Sequence, residues 1–210
     1  MKILCLKVGE MGTNSYLVVD ETTQEALVID PGDEGDFIST SILENKITPI
    51  GIVLTHGHYD HCLAALELKL NFNIPIYLHP KDLFLYEKAH LSANHFSNIT
   101  SPKLLPIDEF LTDGQVLCFG DSSLRVIHTP GHTPGSCCFT NEVLVNKEKL
   151  HTAQSIIFTG DTYFASGPGQ ADRSYSSAPQ LRKSTQKIRE RYPDALIYPG
   201  HEDHGVFIRR

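Results

Sequence analysis

Four short apolar runs in this chain lead into a glycine followed directly by a residue able to bind a metal ion. That pattern constrains the fold more than any other feature. Ile50 to Leu54 leads into Thr55-His56-Gly57-His58, and Leu124 to Pro130 into Gly131-His132. Ser155 to Thr159 leads into Gly160-Asp161, and Ala195 to Pro199 into Gly200-His201. Each run is rich in β-branched or aromatic residues and of strand length, so it reads as a buried strand. Glycine tolerates unusual backbone angles and lets other groups come close. Four such strand ends predict convergence at one edge of a layered α/β domain, where sheets of this kind place their ligands.

The first strand end carries the densest chemistry. His56, His58, Asp60 and His61 bring three imidazoles and a carboxylate within six residues. Imidazole nitrogen and carboxylate oxygen are the donors that zinc and similar ions prefer. In an extended segment His56 and His58, two apart, point the same way. Asp60 and His61 fall where a helix can begin and aim differently, so one strand end can serve two metal ions. The plain alternative is a polar loop with a chance run of histidines, and four ligand types at this spacing weigh against it.

His56-x-His58-x-Asp60-His61, Gly131-His132-Thr133-Pro134-Gly135, Gly160-Asp161-Thr162 and Pro199-Gly200-His201-Glu202 follow one another in this order. The set resembles the metallo-β-lactamase superfamily, and within it the glyoxalase II-like hydrolases. The likeness runs from Asn14 to Val18 and Ile29-Asp30-Pro31-Gly32 through to His201-Glu202. It implies an α/β fold of four layers, an αββα sandwich, with a two-metal site in the cleft between the sheets. By motif, His56, His58 and His132 would hold the first metal, Asp60, His61 and His201 the second, and Asp161 would bridge them. Zinc is the expected ion, although iron and manganese suit the same donors.

The reaction implied is attack by a metal-bridging hydroxide on a carbonyl polarised by one ion, with Asp60 and Asp161 orienting the hydroxide. Two ions about 3.5–4 Å apart can clamp attacking and leaving oxygens together. Metal-bound histidines generally need a partner for their other nitrogen. Asp30 is a candidate for that role, its alternative being an ordinary turn carboxylate.

Substrate recognition departs from that of the glutathione hydrolases. Nine residues follow His201, so the helical domain that helps those enzymes bind glutathione is expected to be missing. Gln170 stands where a basic residue is expected, with Arg173 close enough to substitute. Asp203 stands where a tyrosine is expected, and Ser136 where a second histidine often follows the Gly-His-Thr motif. The short chain resembles the compact branch of this family, which implies a small thioester, of hydroxyacyl-glutathione type or related, or a related ester as the substrate. Two other readings stay open: a mononuclear-iron oxidoreductase of the persulfide dioxygenase type, and a non-enzymatic metal-binding or sensor domain. A β-lactamase role is disfavoured because the likeness runs to the glyoxalase branch and no export signal is read. An RNA-processing nuclease would bring a large extra domain and a basic surface.

The 210 residues suffice for one domain spanning 1–210, and no break in composition argues for two. The net charge of −7 and the lack of a basic stripe argue against nucleic-acid partners. No apolar stretch is long enough to span a bilayer, and charge interrupts the start too soon for a signal-peptide core. Five cysteines, an odd count without paired spacing, fit a reducing cytoplasm. Cys62, beside a ligand, reads as a small packing residue, and Cys137 and Cys138 should face opposite sides of a strand. The sequence does not specify an oligomeric state.

Strands are expected over 2–8, 14–20, 25–30, 50–54, 74–78, 115–119, 123–128, 136–140 and 196–198. Helices are expected over 33–46, 62–70, 81–89 and 178–191. Leu63, Leu66 and Leu70 would mark the buried face of the second helix. Residues 90–106 read as a long loop near the cleft, where His90 and His95 either touch substrate or lie on the surface. Residues 141–154 read as a hairpin insertion with a solvated His151.

Overall fold

The computed structural model describes residues 1–141, 144–145, 148–149 and 154–208. The first half of the chain builds one sheet. Strands β1 (Lys2–Val8), β2 (Thr13–Val19) and β3 (Glu25–Ile29) form an antiparallel meander. Helix α1 (Gly35–Glu44) then carries the chain to β4 (Thr48–Val53), which pairs parallel to β3. A 3₁₀ turn at Tyr59–His61 and helix α2 (Ala65–Phe72) lead to β5 (Ile76–Leu78), parallel to β4. A second 3₁₀ turn at Pro80–Asp82 and helices α3 (Leu83–Tyr86) and α4 (Ala89–Ser97) precede β6 (Glu109–Phe110). The sheet order is β1-β2-β3-β4-β5-β6.

The second sheet contains β7 (Val116–Phe119), β8 (Ser122–His128) and β9 (Cys137–Thr140). Two-residue strands β10 (Leu144–Val145) and β11 (Glu148–Lys149) pair with each other. Strand β12 (Ile156–Gly160) is followed by the small hairpin β13 (Tyr163–Phe164) and β14 (Gly167–Pro168). Helix α5 (Ala178–Arg191) crosses to β15 (Leu196–Pro199), parallel to β12, and β16 (Val206–Phe207) closes the edge. The order is β16-β15-β12-β9-β8-β7.

Period-two alternation within the strands makes this a four-layer αββα sandwich, as expected. In β2 and β3, Leu17, Val19, Ala26 and Val28 pack outward with Ile38 and Ile42 of α1 and Leu68 of α2. Their neighbours Tyr16, Val18, Leu27 and Ile29 face the other sheet, meeting Leu124, Val126, Phe139 and Phe158. On the far side, Ile127, Cys138, Ile157 and Ile197 pack against Ile188 of α5. Each fully buried aliphatic side chain contributes about 1.5–3 kcal/mol. One alternating pattern thus builds three apolar layers between four structural ones. Cys137 joins the inter-sheet layer and Cys138 the layer under α5, on opposite faces as expected. Cys62 is fully buried in the layer under α1 and α2.

Three local expectations need correction. Part of the 90–106 loop is helical, because α4 occupies Ala89–Ser97. Only the small Ala89 and Ala93, four apart, anchor it among its buried residues, which is too faint a stripe to read as a period. The helix expected over 81–89 is broken: a 3₁₀ turn, the single turn of α3, and α4 follow one another. The second helix starts later than expected, at Ala65: Leu63 is buried just before it and Leu66 packs against the same core, but Leu70 is 67% exposed, and Ala65 and Leu68 complete the docked face instead. The hairpin expected over 141–154 agrees with the β10–β11 pairing, but most of that segment, with His151, lies outside the described residues.

Candidate metal centre

The four Gly-ligand loops meet at one edge of the sandwich, where each follows the C-terminal end of its strand. They are tied to one another by backbone hydrogen bonds. Cys137 N–H donates to the Thr55 carbonyl at 2.8 Å, and Gly200 N–H to the Gly160 carbonyl at 3.0 Å. The first sheet grips the last loop: Asn14 donates from its side chain to the Pro199 and Glu202 carbonyls, and Tyr16 donates to Pro199. Glycine is needed where loops and ligands crowd. A Cβ on Gly200 would lie 2.4 Å from Asp161 Oδ1 and 2.6 Å from His61 Cε1.

Two ligand sets result. His58 Nδ1 lies 3.0 Å from His56 Nε2 and 3.1 Å from His132 Nε2. His61 Nε2 and His201 Nε2 are 3.3 Å apart, and Asp60 Oδ2 lies 3.5 Å and 3.3 Å from them. Asp161 stands between the sets. Its Oδ1 is 3.5 Å from His61 Nε2, and its Oδ2 is 3.6 Å from His132 Nε2. All seven residues expected from the sequence to bind metal are therefore brought together.

The outward ring nitrogens show which atoms are free to bind a cation. His56 Nδ1 faces Thr55 Oγ1 at 3.0 Å, and His61 Nδ1 faces Asp30 Oδ2 at 3.0 Å. His132 Nδ1 faces the Gln170 carbonyl at 2.8 Å, and His201 Nδ1 the Met11 carbonyl at 3.2 Å. His58 Nε2 faces the Tyr175 hydroxyl at 2.8 Å. With their outward nitrogens donating, the inward nitrogens of His56, His58, His132 and His201 carry lone pairs turned to the centre, and His61 offers one once its inward proton is displaced. Tetrahedral bonds of about 2.0–2.1 Å put donor atoms about 3.3 Å apart, which matches these spacings. Asp161 Oδ1 is buried with no hydrogen-bond partner, a cost that a cation would remove. The donor set fits divalent metal in both positions.

Asp30 takes a supporting place. Its Oδ1 accepts from Thr55 N–H at 2.7 Å, and its Oδ2 from Thr55 Oγ1 at 2.6 Å and from His61 Nδ1. Both oxygens are thereby occupied, so Asp30 is spoken for as a holder of His61 and Thr55 rather than free as a ligand. Its φ of 49° lies in the left-handed region, which turns the carboxylate under the loop.

Burial and mutual repulsion push the His56 imidazole well below its ordinary pKa. Burial and His132 bring His58 down to about 3. Both rings are thus neutral and ready to ligate. His61 is the opposite case. Burial pulls it down, but Asp60, Asp161 and Asp30 outweigh that and raise it to about 10. Burial opposes ionisation of Asp60, yet His61 and His201 hold its carboxyl below the usual range.

The metal residues open into a cleft of about 860 Å³. Met11, Leu85, Phe96 and Phe164 give it an apolar wall. Gln170 and Arg173 both line it, as the sequence suggested. Gln170 acts on the site through its backbone carbonyl, and the Arg173 guanidinium lies 5.0 Å over the Phe96 ring. Asp203 and the histidines His90 and His95 are not among the lining residues, whereas Ser92 and Ser97 of α4 are.

Comparison with known proteins agrees with the geometry. The metallo-beta-lactamase superfamily model matches residues 8–146. This chain belongs to that superfamily. A protein of Aquifex aeolicus is 34% identical over 206 residues, covering 97% of this chain and 90% of its own. The hydroxyacylglutathione hydrolase GloC of Haemophilus influenzae is 32% identical, with 96% and 91% covered. The crystal structure of TTHA1623 in a di-iron-bound form superposes with a TM-score of 0.82 at 33% identity, covering 97% of this chain and 94% of that one. Among the described residues no helix is long and apolar enough to cross a membrane.

On this metallo-beta-lactamase frame, sequence reasoning missed two residues beside the ligands. Asp82 is fully buried. It accepts from Gly57 N–H at 3.0 Å, from Gly135 N–H at 2.6 Å and from Thr133 Oγ1 at 2.6 Å, stapling the His58 loop to the His132 loop. Lying in Pro-Lys-Asp before a helix, it looked like any acid in a first turn. Tyr175 carried no signal, because its partner His58 lies 117 positions away.

Proposed function

We propose that this chain is a binuclear metal-dependent hydrolase that cleaves small thioesters or related esters. Asp161 carries this reading: its two oxygens face the two ligand sets, and one is a buried orphan. His56, His58 and His132 would hold one ion and Asp60, His61 and His201 the other, with Asp161 shared. Two divalent ions there would supply a water made acidic enough to attack at neutral pH and would polarise the carbonyl. Zinc is the leading candidate, and the di-iron form of TTHA1623 makes iron the first competitor.

The chain's own residues do the rest. Asp60 and Asp161 would orient the attacking water with the carboxylate oxygens they turn to the cleft. Asp30 and Thr55 fix His61 and His56 against rotation. The apolar wall would receive an acyl or thiol group and exclude water from it. Arg173, at the rim, would take a carboxylate on the substrate's tail.

The test combines metal analysis with a panel of acyl thioesters, on wild type and Asp161→Ala made without chelator. Two metals per chain with thioester turnover, both lost on substitution, are expected. One iron per chain with thiol-dependent oxygen uptake would replace the hydrolase by a dioxygenase, and bound metal without turnover of any thioester or ester would leave a binding domain.

A further inference from the structure

Each metal-facing histidine in the two sets has one outward nitrogen, and the partners of those nitrogens are not alike. His56 and His61 lean on Thr55 and Asp30, both only 2% exposed. His132 and His201 donate to backbone carbonyls of Gln170 and Met11. His58 alone faces a side chain on the cleft wall, the Tyr175 hydroxyl. That contact also explains the ring's orientation. His58 offers Nδ1 to the first set where His56 and His132 offer Nε2, and the phenolic oxygen at 2.8 Å holds its Nε2–H turned away.

Tyr175 is itself held in register by its neighbours. Ser176 Oγ donates to the His132 carbonyl at 2.7 Å, and Ser177 N–H to the Gly131 carbonyl at 2.8 Å. The ring packs edge-on against Phe84 at 5.7 Å. The segment carrying Tyr175 is therefore tied to the loop of one first-set ligand, while its hydroxyl reaches another.

We propose that Tyr175 is the positioning residue of the first metal site, setting the His58 ring from a place that the contents of the cleft can touch. The inference rests on the two-metal reading above but not on the thioester. With metal on its Nδ1, His58 would donate from Nε2 to the Tyr175 oxygen, so the phenol's own hydrogen would be directed elsewhere and be available to a bound substrate. Cleft occupancy and the first ligand set thereby share one hydroxyl group.

Tyr175→Phe removes that hydroxyl and keeps the ring against Phe84. Cobalt(II) titrations of the metal-free protein, read by the visible absorption of the bound ion and by competition with a chelator, separate the two sites. The expected result is a fall of about 10–100-fold in affinity at one site, the usual consequence of losing an outer partner. The absorption of that site should shift, while the other site and the unfolding temperature of the metal-free protein stay unchanged. Unaltered affinity at both sites would overturn the assignment. So would equal weakening of both with a less stable metal-free protein, which marks a merely structural role, or a wild type that binds no ion through His56, His58 and His132. A wild type that binds two ions but cleaves no ester or thioester would sink the hydrolase reading and leave Tyr175 in place.

Discussion

Asp82 offers the sharpest test of how the site is held. Its carboxylate accepts three hydrogen bonds, two of them from backbone N–H groups of Gly57, between His56 and His58, and of Gly135, three residues after His132. In Asp82→Ala the Thr133 hydroxyl can turn to Ser136, already 2.7 Å away, but the two N–H groups have nowhere to go. Each buried donor left unpaired costs about 1–3 kcal/mol, so the loss should be about 4 kcal/mol. For a chain of this length about 2–4 °C accompanies each kcal/mol, giving a fall of roughly 8–16 °C in Tm. Asp82→Asn keeps the volume and one acceptor, leaves one N–H unpaired instead of two, and should lose about half of that, near 2 kcal/mol. Thermal unfolding of metal-free protein measures both, and metal titration should show the first site weakened more than the second. An Asn variant as stable as wild type, or an Ala variant with both sites intact, would refute the stapling role.

Further outcomes follow from the same geometry. In the metal-free protein His61 is raised from an ordinary value near 6.5 to about 10, so its stabilising contribution is complete below about pH 6.5 and is lost as pH rises through 10. A cation must displace that proton, so second-site affinity should rise up to about tenfold per pH unit across this window; a flat profile in a pH series of metal titrations would contradict it. Gly200→Ala places a methyl group 2.4 Å from Asp161 Oδ1 and should cost the second-site metal, with metal content falling from two ions toward one in folded protein. Activity on glutathione thioesters should be weak, because Gln170 offers no cation, Arg173 alone is left for the carboxylates of the tripeptide, and Asp203 does not line the cleft. A steady-state kcat/KM near the diffusional ceiling of about 10⁸ M⁻¹s⁻¹ would count against that.

Much of this protein could be read along the chain because its signals are local. Short apolar runs such as those of β3 and β12 mark strands with two buried faces, and the resemblance of the ordered motifs to a known superfamily implied the two sheets covered by helices. The ligands are legible because each sits directly after a glycine at a strand end, so the strand's direction carries the side chain to a known place. Where a local signal was faint, reading failed. Helix α4 is anchored through two alanines, and Leu70 sits on the stripe of Leu63 and Leu66 yet faces solvent, while Ala65 and Leu68 pack beside those two on the core.

By itself the sequence determined the four converging loops and the donor atoms available to a metal, and its resemblance to the superfamily implied the four layers. Only tertiary structure decided which nitrogen each histidine turns inward, because that depends on an outward partner supplied from elsewhere. Asp30 reaches His61 from 31 positions away, Gln170 reaches His132 from 38, and Tyr175 reaches His58 from 117. Asp30 could be singled out by its place at a strand end, but the other two have no spacing rule to betray them. They meet because separate strands end at the same edge, and the cost of an unpaired polar group in a buried place holds them there.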